Sequence, residues 1–175
     1  MIEVRILKPP DDRTRFRSGN PDLDRFFVRY AGQNQFRHHI GTTYVAVEDD
    51  LIKGFVTVSA SHIEIDQLPG SRKKRLPKYP LPILRLARLA VDESAHGCGI
   101  GSLLLRAVFN LAYDMGKKLG CVGVVVDAKP HAISFYERYG FIRLESLEGI
   151  LGDRPEPVPM FLSLGLIHEA AGSLD

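Results

Sequence analysis

The sequence predicts one α/β domain in which strands and helices alternate along the chain. Short segments rich in β-branched and aromatic residues alternate with longer segments whose apolar residues recur at helical spacing. No Ser/Gly-rich linker or internal repeat divides the 175 residues, a length close to that of a typical single domain. We therefore expect a single domain over residues 1–175.

The amino-terminal half contains the expected first strands and the first helix. Ile2–Leu7 is typical of a strand. Asn20-Pro21-Asp22 is typical of a helix start, because a capping side chain, a proline and an acidic residue occur together. We expect this helix to reach about Arg37. Thr42–Glu48 and Leu51–Ile65 are rich in β-branched residues, so they predict two strands, joined by a tight turn at an acidic pair.

The carboxy-terminal half continues the alternation of strands and helices. After Gly99, apolar residues recur at steps of four, four, three and four, which predicts a long helix that ends near 116–120. Four prolines predict an exposed loop over Leu68–Pro82. A short helix is expected at His131–Tyr139 and a loop at Pro155–Pro159. The remaining strands are expected at Ile83–Val91, Cys121–Val126, Phe141–Leu144 and Met160–Leu164.

Composition and hydropathy narrow the class of protein. Apolar residues are 45% of the chain and charged residues 25%, values typical of soluble globular proteins. No apolar stretch reaches the ~20 residues that span a bilayer, and the amino end does not resemble a signal peptide. We therefore expect a cytoplasmic protein with no membrane association. Cys98 and Cys121 have neither disulfide nor metal-ligand spacing, so we expect free thiols and no metal site.

Basic residues cluster in the proline-containing loop, although the net charge of the chain is only +2. Lys and Arg side chains neutralise phosphates and supply most of the sequence-independent affinity for nucleic acid. A charge run in an exposed loop is equally well explained as a solvated surface, and both interpretations stay open. The candidate nucleic-acid residues are Arg72, Lys73, Lys74, Arg75 and Lys78.

A glycine-rich junction between the strand at Ile83–Val91 and the long helix indicates ligand binding. Glycines at alternate positions remove every Cβ from one side of the turn, so backbone N–H groups can approach an anion closely. The same N–H groups begin a helix, where the dipole favours phosphate. A turn of this kind can also merely join two elements. The pattern matches neither a P-loop nor a dinucleotide-binding fold.

This junction, His96-Gly97-Cys98-Gly99-Ile100-Gly101, is similar to the cofactor motif Gln/Arg-x-x-Gly-x-Gly/Ala of the GNAT superfamily. His96 stands where the superfamily has Gln or Arg, so the contact made by its side chain is left open. The resemblance implies acetyl-CoA as cofactor and a mixed, mostly antiparallel sheet of six or seven strands flanked by about four helices. The implied cofactor-binding residues are Leu89, Ala90, Val91, His96, Gly97, Cys98, Gly99, Ile100, Gly101, Ser102, Asp127 and Ala132.

A second motif, Ala132-Ile133-Ser134-Phe135-Tyr136 and onward to Gly140-Phe141, resembles the superfamily signature near the cofactor thiol. The resemblance implies that Tyr136 is the general acid for the departing thiolate. The residues alone also allow a core aromatic on a short amphipathic helix. No Asp, Glu or His stands out as general base. This fits an α-amine acceptor, with a pKa of ~8, better than a lysine, with a pKa of ~10.4.

Longer stretches, from Phe16–Phe27 to Arg85–Asp92, resemble the TacT-like and AtaT-like acetyltransferase toxins. That resemblance implies an aminoacyl-tRNA acceptor, a homodimer and a ribbon-helix-helix antitoxin as partner. Two alternatives remain. One is an ordinary GNAT enzyme that acetylates a small molecule, a peptide or a protein amine. The other is a non-catalytic acyl-CoA-binding module, which Tyr136 and the basic loop disfavour.

Overall fold

A computed structural model describes residues 1–64, 68, 80–144 and 157–167. The strands are β1 (Glu3–Ile6), β2 (Thr42–Glu48), β3 (Leu51–Ile63), β4 (Leu81–Val91), β5 (Gly123–Ala128), β6 (Ile142–Arg143) and β7 (Val158–Ser163). The α-helices are α1 (Pro21–Arg25), α2 (Ala31–Gln33), α3 (Ile100–Lys118) and α4 (Ile133–Arg138). The described residues also contain two π-helical segments, Phe26–Tyr30 and Asn34–His38, and two 3₁₀ turns, Glu93–Ala95 and Pro130–Ala132.

The strands form one seven-stranded sheet in the order β1-β2-β3-β4-β5-β7-β6. β1 with β2, β2 with β3, β5 with β7 and β6 with β7 are antiparallel pairs. At the start of β5, the N–H of Val122 donates to the carbonyl of Pro82 at 2.8 Å, which places the beginnings of β4 and β5 together, as in parallel neighbours. The expected mixed, mostly antiparallel sheet with about four helices is confirmed.

The described residues group into two compact units, each with its own core. The first unit comprises residues 1–59 and 86–108, and the second comprises residues 60–85 together with the described residues from 109 onward. One described core cluster consists of residues from the first unit: Leu7, Phe16, Phe26, Phe27, Ala31, Val45, Val47, Phe55 and Ala90. Another consists of residues from the second unit: Ile63, Leu68, Leu81, Ile83, Val125, Leu144 and Phe161. A single domain over residues 1–175 stays a prediction.

Stacked aromatic rings hold the amino-terminal helical segment against the sheet of the first unit. The Phe27 and Phe55 rings are parallel, with an interplanar angle of 2° and centroids 4.3 Å apart. Phe16 meets the Phe27 ring edge-on at 4.9 Å. Asn20 starts the helix as expected, since its side chain accepts from the N–H groups of Asp22 and Leu23. Burial of these large rings is the main force that fixes the helix on the sheet.

The helix expected from Asn20 to about Arg37 is present but is interrupted by wider π turns. Helical structure continues to His38, where His39 takes a positive φ of 54°. In the first π segment, a guanidinium nitrogen of Arg13 donates to the carbonyl of Phe27 at 2.9 Å. The same guanidinium lies so close to Gly32 that a Cβ there would be 2.9 Å from it. A side chain from outside the helix therefore supplies a partner for the wider turn.

Several strand boundaries differ from those expected. Pro82 belongs to β4 and Pro159 to β7, although both were assigned to loops. Each proline lacks an N–H but accepts a hydrogen bond through its carbonyl, from Val122 and Leu144 respectively. β5 lies two residues later than expected because pairing with β7, rather than apolar content, sets its bounds. β7 starts before Met160 and ends at Ser163, and residues 164–167 are helical.

Smaller differences concern the remaining elements. β1 and β6 are shorter than the segments expected to form them, and the expected short helix begins as the 3₁₀ turn Pro130–Ala132. Leu68, expected in an exposed loop, is buried. Ile65 and most of the loops expected at 68–82 and 155–159 lie outside the described residues. In the part of the chain that is described, none of the helices has the length and apolar character needed to cross a membrane.

We predict that Gly123→Ala destabilises the protein strongly. Gly123 is buried in β5, and a Cβ there would overlap the backbone carbonyl oxygen of Leu162 and lie 2.7 Å from the Phe161 ring. We expect the free energy of unfolding to fall by about 1–3 kcal/mol or more, as for other overpacked cores, in urea denaturation. Gly165→Ala is the control, because a Cβ at Gly165 meets nothing within 4 Å. Equal stability of the two variants would contradict this packing.

Candidate active site

The candidate site in the first unit is the chain that leaves β4 and enters α3. Ala90 is buried in the core of this unit, whereas Leu89 and Val91 are half-buried. The backbone then passes through the 3₁₀ turn Glu93–Ala95 and the exposed residues 96–99 before α3 begins. The strand, the turn and the glycine-rich loop are therefore continuous, in the order expected from the sequence.

Asp92 fixes the beginning of this loop. One of its carboxylate oxygens accepts from the Ser94 N–H at 3.0 Å and the Ser94 hydroxyl at 2.7 Å. The other accepts from the Arg17 N–H at 3.0 Å, while the Glu93 N–H donates to the Arg17 carbonyl at 2.7 Å. Partial burial opposes ionisation of Asp92, but these hydrogen bonds outweigh it and lower its pKa below the ordinary value of 3.8. The turn is thus anchored to the segment that follows Phe16.

Two glycines give the loop its shape. Gly97 and Gly99 both have φ of +79°, a conformation that residues with a Cβ rarely adopt. A Cβ on either residue would meet no atom within 4 Å, so the space above both backbones is open. An anion could therefore approach the backbone of this loop without a clash.

Four N–H groups at this point donate no hydrogen bond to any backbone carbonyl of the described residues. They belong to Gly97, Gly99, Ile100 and Gly101. The N–H of Cys98 is used differently, since it donates to the Ala95 carbonyl at 3.2 Å. Free N–H groups at the start of a 19-residue helix, next to open space, suit an anion such as a diphosphate. The described loop therefore fits the phosphate part of the predicted cofactor.

His96 makes a contact that the sequence left open. Its Nε2 atom lies 2.9 Å from the carbonyl oxygen of Val91, the last residue of β4. A ring N–H at this position donates to the carbonyl. The exposed imidazole therefore ties the loop back to the end of the strand. This contact depends on how the chain returns towards the strand, so no sequence motif indicated it.

Gly54 on β3 sets the position of the start of α3. A Cβ at Gly54 would be 2.8 Å from the Ile100 side chain, 3.0 Å from Leu104 and 3.1 Å from the carbonyl oxygen of Ala90. Only glycine allows the helix to lie this close to the strand. Gly54 was not among the residues predicted from the sequence, where its one signal is an isolated glycine inside a strand pattern.

Tyr136, on α4, lies in the second unit. Tyr136 is only 4% exposed. The centroid of its ring lies 5.3 Å from that of Phe141 and 5.1 Å from that of Phe135. Burial raises the pKa of the phenol well above its ordinary value of 10.0. Among the described residues, the Tyr136 hydroxyl has no hydrogen-bond partner. Every fully buried side-chain oxygen or nitrogen of those residues is paired, so this unpaired hydroxyl reaches solvent. The ring is a core aromatic whose hydroxyl remains available to a ligand.

The backbone around Tyr136 explains how α4 ends. The carbonyl of Tyr136 accepts from the N–H groups of Tyr139 and Phe141, at 3.0 and 3.3 Å. Gly140 takes a φ of +94°, which allows the chain to turn into β6. Tyr139, the residue that follows α4, is also buried.

The other predicted residues of the second unit are more exposed. Asp127 lies in β5 opposite Pro159, and its carboxylate is 2.9 Å from a guanidinium nitrogen of Arg85. Ala132 is the last residue of a 3₁₀ turn and is half-buried. Leu89 to Val91 and His96 to Ser102 thus belong to the first unit, whereas Asp127, Ala132 and Tyr136 belong to the second.

Two other expectations concern the cysteines and the basic loop. Cys98 and Cys121 are free thiols, the first exposed and the second buried. Burial raises the pKa of Cys121, whose Sγ donates to the Gly123 carbonyl at 3.2 Å. The predicted nucleic-acid residues Arg72, Lys73, Lys74, Arg75 and Lys78 lie outside the described residues.

Comparisons with known proteins point to one family. A family model described as an acetyltransferase (GNAT) domain matches residues 39–143. The chain is 30% identical to the tRNA-acetylating toxin of Mycobacterium tuberculosis over 138 residues, which cover 78% of this chain and 82% of that protein.

Solved structures show the same similarity. The structure of AtaT complexed with acetyl-methionyl-tRNAfMet has a TM-score of 0.83 and 26% identity, covering 97% of this chain and 98% of that chain. A structure of AtaTR bound with AcCoA has a TM-score of 0.76 and 26% identity, covering 96% of both chains. A tyrosine-to-phenylalanine mutant of KacT has a TM-score of 0.81 and 26% identity, covering 96% of this chain and 98% of that chain.

We predict that Asp92→Asn lowers stability at neutral pH by about 1 kcal/mol, the usual cost of losing such a cap. Because folding lowers the pKa of Asp92 below 3.8, the carboxylate stabilises the fold fully above that pH and loses this effect as the pH falls through the folded-state pKa. The difference in unfolding free energy between wild type and variant should therefore shrink below about pH 4. Urea denaturation at several pH values measures it, with the exposed Asp114→Asn as control. A constant difference would contradict the role of Asp92.

Proposed function

The chain belongs to the GNAT acetyltransferase family, and on that premise we propose that it transfers the acetyl group of acetyl-CoA to the α-amine of an aminoacyl-tRNA. The observation that carries this proposal is the relationship to a tRNA-acetylating toxin along most of both chains. The similarity to AtaT complexed with acetyl-methionyl-tRNAfMet supports the same acceptor. Acetylation of the α-amine would prevent the amino acid from forming a peptide bond in translation.

The glycine-rich loop is proposed to hold the diphosphate of coenzyme A. Gly97, Gly99, Ile100 and Gly101 offer free N–H groups beside open space, and the start of α3 adds the favourable end of a helix dipole. Leu89 to Val91 are proposed to pair with the pantetheine arm. His96 would act as a positioning residue, because its ring fixes the carbonyl of Val91 at the end of β4.

The remaining cofactor residues are proposed to act less directly. Cys98 and Ser102 would contribute small side chains near the loop. The N–H of Cys98 already donates to the Ala95 carbonyl, so it is not counted among the free N–H groups. Asp127 is held by Arg85 at the edge of β5, and Ala132 leads into α4. These residues would shape the second part of the cofactor site through backbone position.

Tyr136 is proposed to protonate the departing thiolate. Acetyl-CoA, when bound, supplies a thioester whose carbon–sulfur bond breaks as the amine nitrogen bonds to the acetyl carbon. The Tyr136 hydroxyl would give its proton to the sulfur, and the proton lost by the amine nitrogen would pass through water to restore the phenol. Burial raises the pKa of this phenol, so it remains protonated throughout the neutral and mildly alkaline range. An α-amine, with a pKa of ~8, is partly neutral in the same range and needs no strong base.

We also propose the biological setting that these relatives suggest. The chain would act in the cytoplasm as the toxin of a toxin-antitoxin pair, as a homodimer. A ribbon-helix-helix antitoxin encoded beside it would neutralise it. The similarity to AtaTR and to a complex of AtaT with the carboxy terminus of the antitoxin AtaR supports an antitoxin partner. The basic residues Arg72, Lys73, Lys74, Arg75 and Lys78 would contribute affinity for tRNA phosphates.

We predict that the wild type transfers radiolabelled acetyl groups to charged tRNA and leaves uncharged tRNA unlabelled. Tyr136→Phe should reduce this transfer by roughly 10²–10⁴-fold, the usual contribution of a general acid, without weakening coenzyme A binding. Filter counting of labelled tRNA measures the first effect and calorimetry the second. Tyr113→Phe is the control, because Tyr113 is 47% exposed on α3.

Two results would contradict this assignment. Label on polyamines, peptides or proteins in place of charged tRNA would favour an ordinary GNAT acetyltransferase. Equal transfer by wild type and Tyr136→Phe would remove Tyr136 from the mechanism.

We predict that Gly99→Ala weakens coenzyme A binding at least tenfold. An alanine at φ of +79° costs roughly 1–2 kcal/mol, and its Cβ enters the open space beside the free N–H groups. Calorimetric titration with coenzyme A measures the loss, and Gly165→Ala is the matched control. Unchanged affinity in Gly99→Ala would exclude the loop as the diphosphate site.

A further inference from the structure

Arg88 on β4 has an unusual environment for an arginine. Its Cζ atom lies 3.8 Å from the centroid of the Phe26 ring, so the guanidinium covers the face of an aromatic side chain of the core. Phe26 itself is only 6% exposed and belongs to the same cluster as Ala90, two residues further along β4. Arg88 therefore points to the same face of the strand as Ala90.

The guanidinium has no partner for its N–H groups in the described part of the chain. No hydrogen bond or ion pair from Arg88 to a described residue is present, and Arg88 remains exposed. Two other arginines of the first unit have such partners: Arg5 pairs with Asp11 at 2.8 Å, and Arg13 donates to the Phe27 carbonyl. Partial burial lowers the pKa of Arg88, so the charge is desolvated without a compensating carboxylate.

Contact with Phe26 restrains the planar guanidinium group, whose N–H donors have no partner among the described residues. Arginine binds phosphate through two parallel N–H donors in that plane, and a plane fixed in advance loses less entropy on binding. Arg88 also directly precedes Leu89 to Val91, the segment proposed to pair with the cofactor. An anion held by Arg88 would therefore lie close to the proposed cofactor segment, where the end of the acceptor must also lie during transfer.

We propose that Arg88, fixed by Phe26, binds a backbone phosphate near the single-stranded 3′ end of the acceptor RNA. This inference rests on the proposed function, because it names a contact of that acceptor. Arg88 acts as a positioning residue: it touches no reacting atom and orients the end of the RNA that carries the amine. Recognition through the backbone makes the contact independent of base sequence.

The experiment uses a fluorescently labelled RNA hairpin with a single-stranded CCA end and no amino acid, so acetyl transfer is not needed for the readout. Anisotropy titrations at several salt concentrations compare the wild type with Arg88→Met. We expect the variant to bind roughly tenfold more weakly or worse, as for loss of a charge-assisted pair. The slope of log affinity against log salt should fall by about 0.7, the value for one phosphate of a single strand.

Three further variants separate position from charge. Arg15→Met removes an equal charge from an exposed position of the same unit and should bind like the wild type. Arg88→Lys keeps the charge without the planar fork and should bind with intermediate affinity. It also serves as the test if Arg88→Met does not fold. Phe26→Leu keeps Arg88 but removes the ring beneath it, and should weaken binding in the same direction.

The outcomes distinguish this inference from the proposed function. Equal binding by Arg88→Met and wild type, an equal loss in Arg15→Met, or no binding of the hairpin at all would overturn it. If Arg88→Met lost affinity for an acidic peptide but not for the RNA hairpin, this would also overturn the inference. If Arg88→Met weakens hairpin binding while wild type acetylates no charged tRNA, the RNA contact stands and the proposed reaction fails.

Discussion

The loop between β4 and α3 depends on a few backbone N–H groups that have no backbone partner in the described part of the molecule. The first N–H groups of a helix have no partner within the helix, and where they face open space they are available to an anionic ligand. Positive φ at Gly97 and Gly99 keeps these groups accessible. Ser94, Arg17 and the carboxylate of Asp92 hold the approach to the loop. Most of the polar contacts around this loop serve to present unpaired donors in a fixed geometry.

Local contacts likewise hold charged and aromatic side chains within each of the two units. The ring nitrogen of His96 bonds to the carbonyl at the end of β4. Both carboxylate oxygens of Asp92 accept from backbone N–H or hydroxyl groups. Tyr136 has its ring in a hydrophobic core and only its hydroxyl available. The guanidinium of Arg88 lies over the ring of Phe26, and its N–H donors have no partner among the described residues. For Tyr136 and Arg88, packing fixes the side chain and leaves a polar group without a partner among the described residues.

The sequence predicted the parts of this structure that depend on local residue types. Alternate glycines before a long apolar repeat located the loop and α3, and Asn20 located the start of the first helix. The bounds of β5 were wrong because they depend on pairing with β7, a strand distant in sequence. The side-chain contacts of His96 and Arg88 gave no interpretable signal, since their partners are a carbonyl and a ring that only the fold brings near. Long-range contacts of this kind cannot be obtained from spacing along one chain.

Close packing around Gly54 limits which residues this position of β3 can hold. Three different groups crowd the place where its side chain would begin, and one of them is the backbone of β4. Any larger residue would push the first turn of α3 away from the sheet and so rotate the direction in which its N–H bonds point. Substitutions elsewhere on β3 could alter stability alone. A substitution of Gly54 would alter both the stability and the direction of the N–H bonds at the start of α3. The absence of a side chain at Gly54 thus sets the orientation of the helix whose first N–H groups form the proposed cofactor site.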